Sequence, residues 1–422
     1  MTGLLKVKGL DSQKVSWCLY DVGNSAYATT IMAAVYPVFF REVAGATLPG
    51  TLPTAYWGYA SSIALLCSAI LAPFLGTLAD LKGSKKRLLG LFTMLGISST
   101  ALMSTVDKGE WFFALLLLVL SSIGFSAAII FYDSLLPHIV PVSQMDLLSA
   151  QGFAFGYLGG GLLLGFNLLM IRSMPALTGI KLSFISVAIW WLFFTIPIMI
   201  KIPEPAFVLK KEEMGTSTLI STYIRLRNTF AEIRRYREVF KFLLAFWLYN
   251  DGIGTIIRMA AIYGSQVGIS MTSLVGALLL TQFVGVPFSL LFGKMAGKVG
   301  GKRSIMIALL WYFGLSIGAV FLNTQWHFWA LAVGVGMVQG GAQALSRSVY
   351  ASMLPKLQSA EFFGFYDISS KFAGIIGPAL FGLITQLTGS SRIGIGVLSL
   401  TFVLGMLILA KVDVEKGRTL VA

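Results

Sequence analysis

The sequence predicts an all-α polytopic membrane protein, with twelve transmembrane helices arranged as two pseudo-symmetric six-helix bundles. Three observations lead there. Of the 422 residues, 56% are hydrophobic and only 12% charged, with a mean hydropathy of +0.81; a soluble domain carries roughly a quarter charged residues. Twelve mostly apolar runs each reach the ~20 residues that a helix needs to cross a bilayer. Polar motifs in the first six runs recur at equivalent places in the last six, the mark of a duplicated bundle.

In order, the runs cover roughly residues 15–40, 54–79, 87–106, 111–137, 148–171 and 180–200, then 239–263, 271–294, 303–322, 326–353, 362–387 and 391–411. Residues 1–200 form the first bundle, 201–238 a linker, and 239–422 the second bundle. An even number of crossings puts both chain ends on one side, and Lys and Arg decide which. Of the 32, only Arg41, Lys108, Arg172, Lys181 and Arg392 fall in loops on the far side, and Arg258, Arg347 and Lys371 fall within runs. The rest crowd the side of the termini, which makes that side cytoplasmic. The net charge of +14 is therefore loop charge and does not point to nucleic acid. Residues 1–14 are polar and basic, and the first apolar run is too long for a signal peptide and lacks a cleavage-like site. Cys18 and Cys67 lie within apolar runs and read as packed small hydrophobes rather than a disulfide.

The linker carries its own pattern. Leu219, Tyr223, Leu226, Phe230 and Ile233 recur at three- and four-residue steps, with Arg225, Arg227, Arg234 and Arg235 on other faces. That is a basic amphipathic helix suited to the inner membrane surface. It serves either as a tether that couples the bundles or as a solvated linker held by anionic lipid.

The repeats are explicit. Run 4 ends Tyr132-Asp-Ser134-Leu-Leu136-Pro137 and run 10 ends Tyr350-Ala-Ser352-Met-Leu354-Pro355. Run 1 contains Trp17-Cys-Leu-Tyr20-Asp21-Val-Gly23, and run 7 contains Trp247-Leu-Tyr249-Asn250-Asp251-Gly252. Between runs 2 and 3 lies Gly76-Thr-Leu-Ala-Asp80-Leu-Lys82-Gly83-Ser-Lys85-Lys86-Arg87. After run 8 the chain repeats a version of it, Gly293-Lys-Met-Ala-Gly297-Lys298-Val-Gly300-Gly301-Lys302-Arg303.

The first of these loops resembles the signature of the major facilitator superfamily between its transmembrane helices 2 and 3, glycine-x-x-x-aspartate-basic-x-glycine-basic-basic. Leu81 stands where a basic residue is usual, and Ser84 precedes the cations. Four further stretches narrow the resemblance: Trp17 to Tyr27, Ser149-Ala-Gln151-Gly152 to Gly161, Gln339-Gly-Gly-Ala-Gln343-Ala-Leu-Ser346-Arg347, and Glu361-Phe-Phe-Gly364 to Lys371. Together they are similar to the autophagy-related vacuolar effluxer-like branch, in its bacterial form. The resemblance implies a monomeric secondary transporter in a bacterial inner membrane, working by rocker-switch alternating access around a cavity lined by runs 1, 4, 7 and 10. A fungal namesake exports amino acids from the vacuole, which suggests efflux of amino acids or similar small metabolites. The resemblance also implies that Asp80 approaches the N-terminus of run 11 at Glu361-Phe-Phe. A carboxylate at a helix N-terminus is favourable by about 0.3–1 kcal/mol. Glu361 would oppose it and Arg87 or Lys86 would compensate. Gly297 replaces Asp80 in the second copy, so the latch is one-sided.

Ionisable groups inside a bilayer are costly and mark function. The expected substrate-binding set is Tyr20, Asp21, Asn24, Gln151, Trp247, Tyr249, Asn250, Asp251, Arg258, Gln339, Gln343 and Lys371. Tyr20, Asp21 and Asn24 form one expected polar cluster, while Arg258 and Lys371 suit an anionic group such as a substrate carboxylate. Asp21, Asp133 and Asp367 are the expected proton-coupling acids, with Asp133 open between site and gate. Asp80, Arg87, Arg347 and Glu361 are the expected gate; Arg347 either serves there or binds Asp251 or Asp367. Lys371, four residues after Asp367, also has that acid as a structural partner along one helix face. Trp17, Trp190, Trp191 and Trp326 near run ends read as interfacial belt residues.

Enzyme readings fail. There is no P-loop, no cluster of metal-ligating side chains, and the two histidines, His138 and His327, fall at opposite surfaces, so no metal or other cofactor is expected. The expected partners are a small-molecule substrate, a proton and the lipid bilayer. Two alternatives stay open: a transporter of a larger amphipathic ligand, and a receptor or scaffold that keeps the fold without transport. A charged, amide-lined cavity wall favours the small metabolite, and a wide aromatic one the amphipathic ligand.

Overall fold

A computed structural model describes residues 11–50, 52–207, 218–231, 236–266, 269 and 271–420. No strand occurs among the described residues. Helix α1 runs over 12–44. It is followed by α2 (Leu52–Lys82), α3 (Lys85–Leu102), α4 (Trp111–Ile139), α5 (Val142–Ser173) and α6 (Ala176–Lys201). The linker helix α7 (Thr218–Ala231) leads to α8 (Arg237–Gln266), α9 (Met271–Val299), α10 (Gly301–Val320), α11 (Gln325–Ser352), α12 (Ser359–Thr388) and α13 (Ser391–Ala410). Among the described residues, ten helices are long and apolar enough to cross a membrane. Helices also occupy the first and seventh expected spans. These are α1, whose ladder is interrupted, and α8, which carries Asn250, Asp251 and Arg258 and is less apolar.

The interruption in α1 has local causes. Tyr27–Val35 winds as a π-helix, where the Thr29 hydroxyl donates to the Ser25 carbonyl at 3.0 Å and to Gly160 of α5 at 3.3 Å. Such side-chain bonds compete with the helical ladder, and Pro37 in the next turn supplies no N–H at all. Such π turns are concentrated at functional sites.

Two bundles, α1–α6 and α8–α13, meet along α2 against α12 and α5 against α9, with α11 touching α4 and α5. The α2–α12 crossing is close because glycines face each other across it. A Cβ on Gly76 would collide with the Ala360 carbonyl, and one on Gly364 would lie 2.7 Å from the Ala72 carbonyl oxygen. The starts of α1 and α8 and the ends of α11 and α13 share one face, joined by contacts such as Lys14 to Gln144 and Lys241 to the Lys411 carbonyl. We call it the terminal face.

The linker helix departs from the expected stripe. Its inner side buries Ser221, Thr222, Arg225 and Thr229 and packs Leu226 on the core, while Ile220, Tyr223 and Ile224 point outward. Arg225 is drawn inside by a buried carboxylate, described below. Ile233, Arg234 and Arg235, the side chains of Leu219 and Phe230, and residues 1–10 lie outside the described residues. Trp17 and Trp191, expected in the interfacial belt, are fully buried, whereas Trp326 is 82% exposed. Both buried rings face the bundle interior, where they stack on Tyr132 and pack on Tyr27.

Candidate functional site

The terminal face is closed by two polar layers. The deeper one centres on Arg347, near the terminal-face end of α11. Its Nη1 donates to Asp133 of α4 at 2.9 Å, and its Nη2 lies 3.6 Å from Asp21 of α1. Nε donates to the Ser149 hydroxyl of α5 at 2.8 Å, and Nη2 also donates to the Ser149 carbonyl at 3.0 Å. The guanidinium is stacked between the rings of Trp17 and Phe153, each 4.6 Å away. Arg347, Asp21 and Asp133 are all buried. One cation of the second bundle therefore holds two carboxylates of the first. Tyr132 completes the cage: its hydroxyl donates to Asp21 at 2.7 Å, and its carbonyl accepts from the Trp17 indole at 3.1 Å. Asn24 donates to the other Asp21 oxygen at 3.4 Å.

The outer layer joins α2 to the N-terminus of α12. Asp80 accepts the Glu361 backbone N–H at 2.8 Å and that of Ala360 at 3.4 Å. Helix N-termini leave such donors unpaired and favour negative charge. Lys85 neutralises Asp80 at 2.9 Å and donates to Ser359 at 2.7 Å, with His138 3.0 Å from the same ammonium. Ser359 donates to the Ser134 carbonyl. Glu361, fully buried, pairs with Arg225 of the linker helix at 3.3 Å.

The expected contact between Asp80 and α12 is present, but its counter-charges differ from those anticipated. Lys85 fills the role given to Lys86 or Arg87. The backbone N–H groups of those two residues cap onto Glu204 at 2.9 and 3.2 Å, and the Arg87 side chain is exposed. In the second copy of the loop a Cβ on Gly297 would meet open space, and Lys302 donates to the carbonyls of Ala410 and Val412.

Further from the terminal face lies a cavity of about 170 Å³. Asn250, Gly254, Ile257 and Arg258 of α8 line it, with Gln343 of α11 and Ser370 and Gly374 of α12. Polar and apolar groups share the wall, and none of the described residues that line it is aromatic.

The family described as "Vacuole effluxer Atg22 like" matches residues 51–421. The chain is 41% identical over 417 residues to the "uncharacterized MFS-type transporter YxiO" of Bacillus subtilis (strain 168), covering 97% of this chain and 96% of that protein. It belongs to the Atg22-like branch of the major facilitator superfamily. Solved structures agree on the fold. The proton:xylose symporter XylE superposes with a TM-score of 0.76 at 14% identity, covering 97% of this chain and 98% of that one. The human organic anion transporter MFSD10 gives 0.74 at 15% identity, over 94% and 99%.

The remaining expected residues of this Atg22-like protein are dispersed. Tyr20 turns from Asp21 and shares a hydrogen bond with Thr93 of α3 at 2.8 Å, so the three-residue cluster reduces to Asp21 and Asn24. Arg347 pairs with neither Asp251 nor Asp367. Asp251 accepts the Gly377 N–H at 2.8 Å, beside Pro378 in the interior of α12, and Asp367 pairs with Lys371 at 3.4 Å. Tyr249 is bound to Ser346 at 2.6 Å. Trp247 is half-buried and its indole nitrogen has no partner among the described residues. Gln151 and Gln339 are half-buried in α5 and α11. Tyr132, Ser149, Lys85, Arg225 and Ser370 were missed as site residues. Tyr132 was visible within the repeated Tyr-x-Ser motif, and Lys85 within the basic loop. Ser149, Arg225 and Ser370 carry no signal that separates them from other small or linker residues.

Proposed function

We propose that this protein is a proton-coupled secondary transporter that exports a small polar metabolite, an amino acid in the first instance, by rocker-switch alternating access. The observation that carries the reading is Arg347 of one bundle clamped by Asp21 and Asp133 of the other. Two buried carboxylates against one guanidinium leave one negative charge in excess, and a proton on either acid balances it. Protonation then loosens the tie between bundles, because a neutral carboxyl no longer holds the guanidinium by charge. Gating and proton binding become one event.

The terminal face is taken as cytoplasmic from its Lys and Arg excess, and the protein as a monomer in the inner membrane. The structure then corresponds to a state closed to the cytoplasm. Asp80, Glu361, Lys85 and Arg225 form the outer gate, and the linker helix acts as a tether rather than a passive connection. The small size of the cavity supports a small substrate, since sites for drug-sized ligands run to roughly 300–1,000 Å³. Its charged, amide-bearing wall supports a polar one. Export as the direction rests on membership of the effluxer-like branch.

Reconstituted proteoliposomes test the coupling. Flux of isotopically labelled leucine is expected to respond to an imposed pH gradient, and Asp21→Asn to remove that response. Flux that ignores the gradient and survives Asp21→Asn rules out coupling through this pair.

A further inference from the structure

The charges around the cavity are not evenly matched. Arg258, Arg347 and Lys371 are cations set inside the membrane-spanning helices rather than in their first or last turns. Arg347 is committed to Asp133 and Asp21, and Lys371 to Asp367. Arg258 is exposed to the cavity, and among the described residues no carboxylate lies within ion-pairing distance of it. Asp251, on the same helix, is buried and spends one oxygen on the Gly377 N–H. The acidic residues outside the described set, Glu212, Glu213 and Glu232, belong to the linker. Around Arg258 stand Asn250, Gln343 and Ser370, each able to donate a hydrogen bond to an anion. The position of the guanidinium depends on Gly374: a Cβ there would collide with both terminal nitrogens of Arg258, while the neighbouring Gly254 leaves 3.9 Å. In the duplicated chain Ala28 stands where Arg258 would be in the first bundle, so the arrangement belongs to one half only.

We infer that the cavity is a carboxylate subsite. Arg258 grips the anion, Gly374 leaves room for the guanidinium to lie flat against α12, and Asn250, Gln343 and Ser370 take the remaining lone pairs. No acid is among the described residues that line the cavity, and Asp251, the acid two turns from Arg258 on α8, is buried behind the wall on the Gly377 N–H, so the site has no contacting carboxylate for an ammonium. The ligand class is therefore small monocarboxylic acids, in which an α-amino group is tolerated but not read. Arg suits this task because its planar fork matches a carboxylate in two parallel hydrogen bonds, which a lysine cannot reproduce. The inference rests on reading the cavity as the transport site.

Three isosteric probes test it on the purified full-length protein, by ligand-dependent thermal stabilisation: leucine, 2-hydroxyisocaproate, which replaces the amine with a hydroxyl, and leucinamide, which lacks the carboxylate. Leucine and 2-hydroxyisocaproate are expected to bind within about threefold of each other, and leucinamide at least ~10-fold more weakly, since loss of a charge-assisted pair is worth a factor of ten or more. Arg258→Gln should abolish that difference. Gly374→Ala should weaken both acids while leaving the ligand-free midpoint unchanged, because only the mobile end of a side chain must move. Equal binding of leucinamide, a tenfold loss with 2-hydroxyisocaproate, or no binding by either acid overturns the inference. Acids that bind as expected but show no flux in proteoliposomes would leave the subsite standing and remove the transport reading. Flux of leucinamide equal to that of leucine would do the reverse.

Discussion

At the scale of single residues, the most demanding group is Arg347. Its buried guanidinium is satisfied on every side by two carboxylates, a serine and two aromatic faces. Removing one partner of such a pair strands the others in a dry interior, at a cost of about 3–5 kcal/mol. Arg347→Gln and Asp133→Asn are each expected to lower the thermal midpoint of the detergent-solubilised protein. The double variant should lose less than the sum of the two, because the pair is removed together. Strict additivity in that cycle would show that the 2.9 Å contact carries no coupling. The acids and Arg347 were legible in the sequence as charges inside apolar runs. Their pairing was not: helix register places a residue by depth, whereas the choice between Asp133 and Asp367 as partner depends on how the bundles are rotated against each other.

At the scale of elements, the outer polar layer is a junction of four helices, α2, α3, α7 and α12. Asp80 of α2 serves the N-terminus of α12, Glu361 occupies the first turn of the same helix, and both negative charges are buried. They persist because Lys85 and Arg225 bring one positive charge each. The loop motif announced Asp80 and its helix-end partner. It did not announce Arg225, since an arginine in a polar linker looks solvated until a buried carboxylate is found beneath it. Asp80→Asn and Arg225→Gln should both destabilise the closed face relative to the open one. Spin labels at Arg87→Cys and Arg303→Cys report this, since both positions are exposed near the starts of α3 and α10, one in each bundle. Each substitution is expected to raise the population of long distances about tenfold or more, since 1.4 kcal/mol suffices for that factor. An unchanged distance distribution in Arg225→Gln would return the linker helix to a passive role.

At the scale of the molecule, duplication sets up two similar bundles and the polar residues break the symmetry. Asp21 and Asp251 are repeat mates with different occupations: one faces Arg347 across the bundle interface, the other accepts a backbone N–H of α12. The helical membrane fold was readable from hydropathy and repeated motifs, because those signals are local. The closed terminal face and the small cavity were not, because they arise where helices distant in sequence meet. The central claim is that protonation of Asp21 and Asp133 releases Arg347 and opens the terminal face. The most direct test is the same Arg87–Arg303 spin-label distance, measured by double electron–electron resonance across a pH series. The account predicts that the long-distance population grows as pH falls, and that the Asp21→Asn, Asp133→Asn double variant shows it at every pH. A distribution that follows pH equally in that variant, or that ignores pH in the unsubstituted protein, contradicts it.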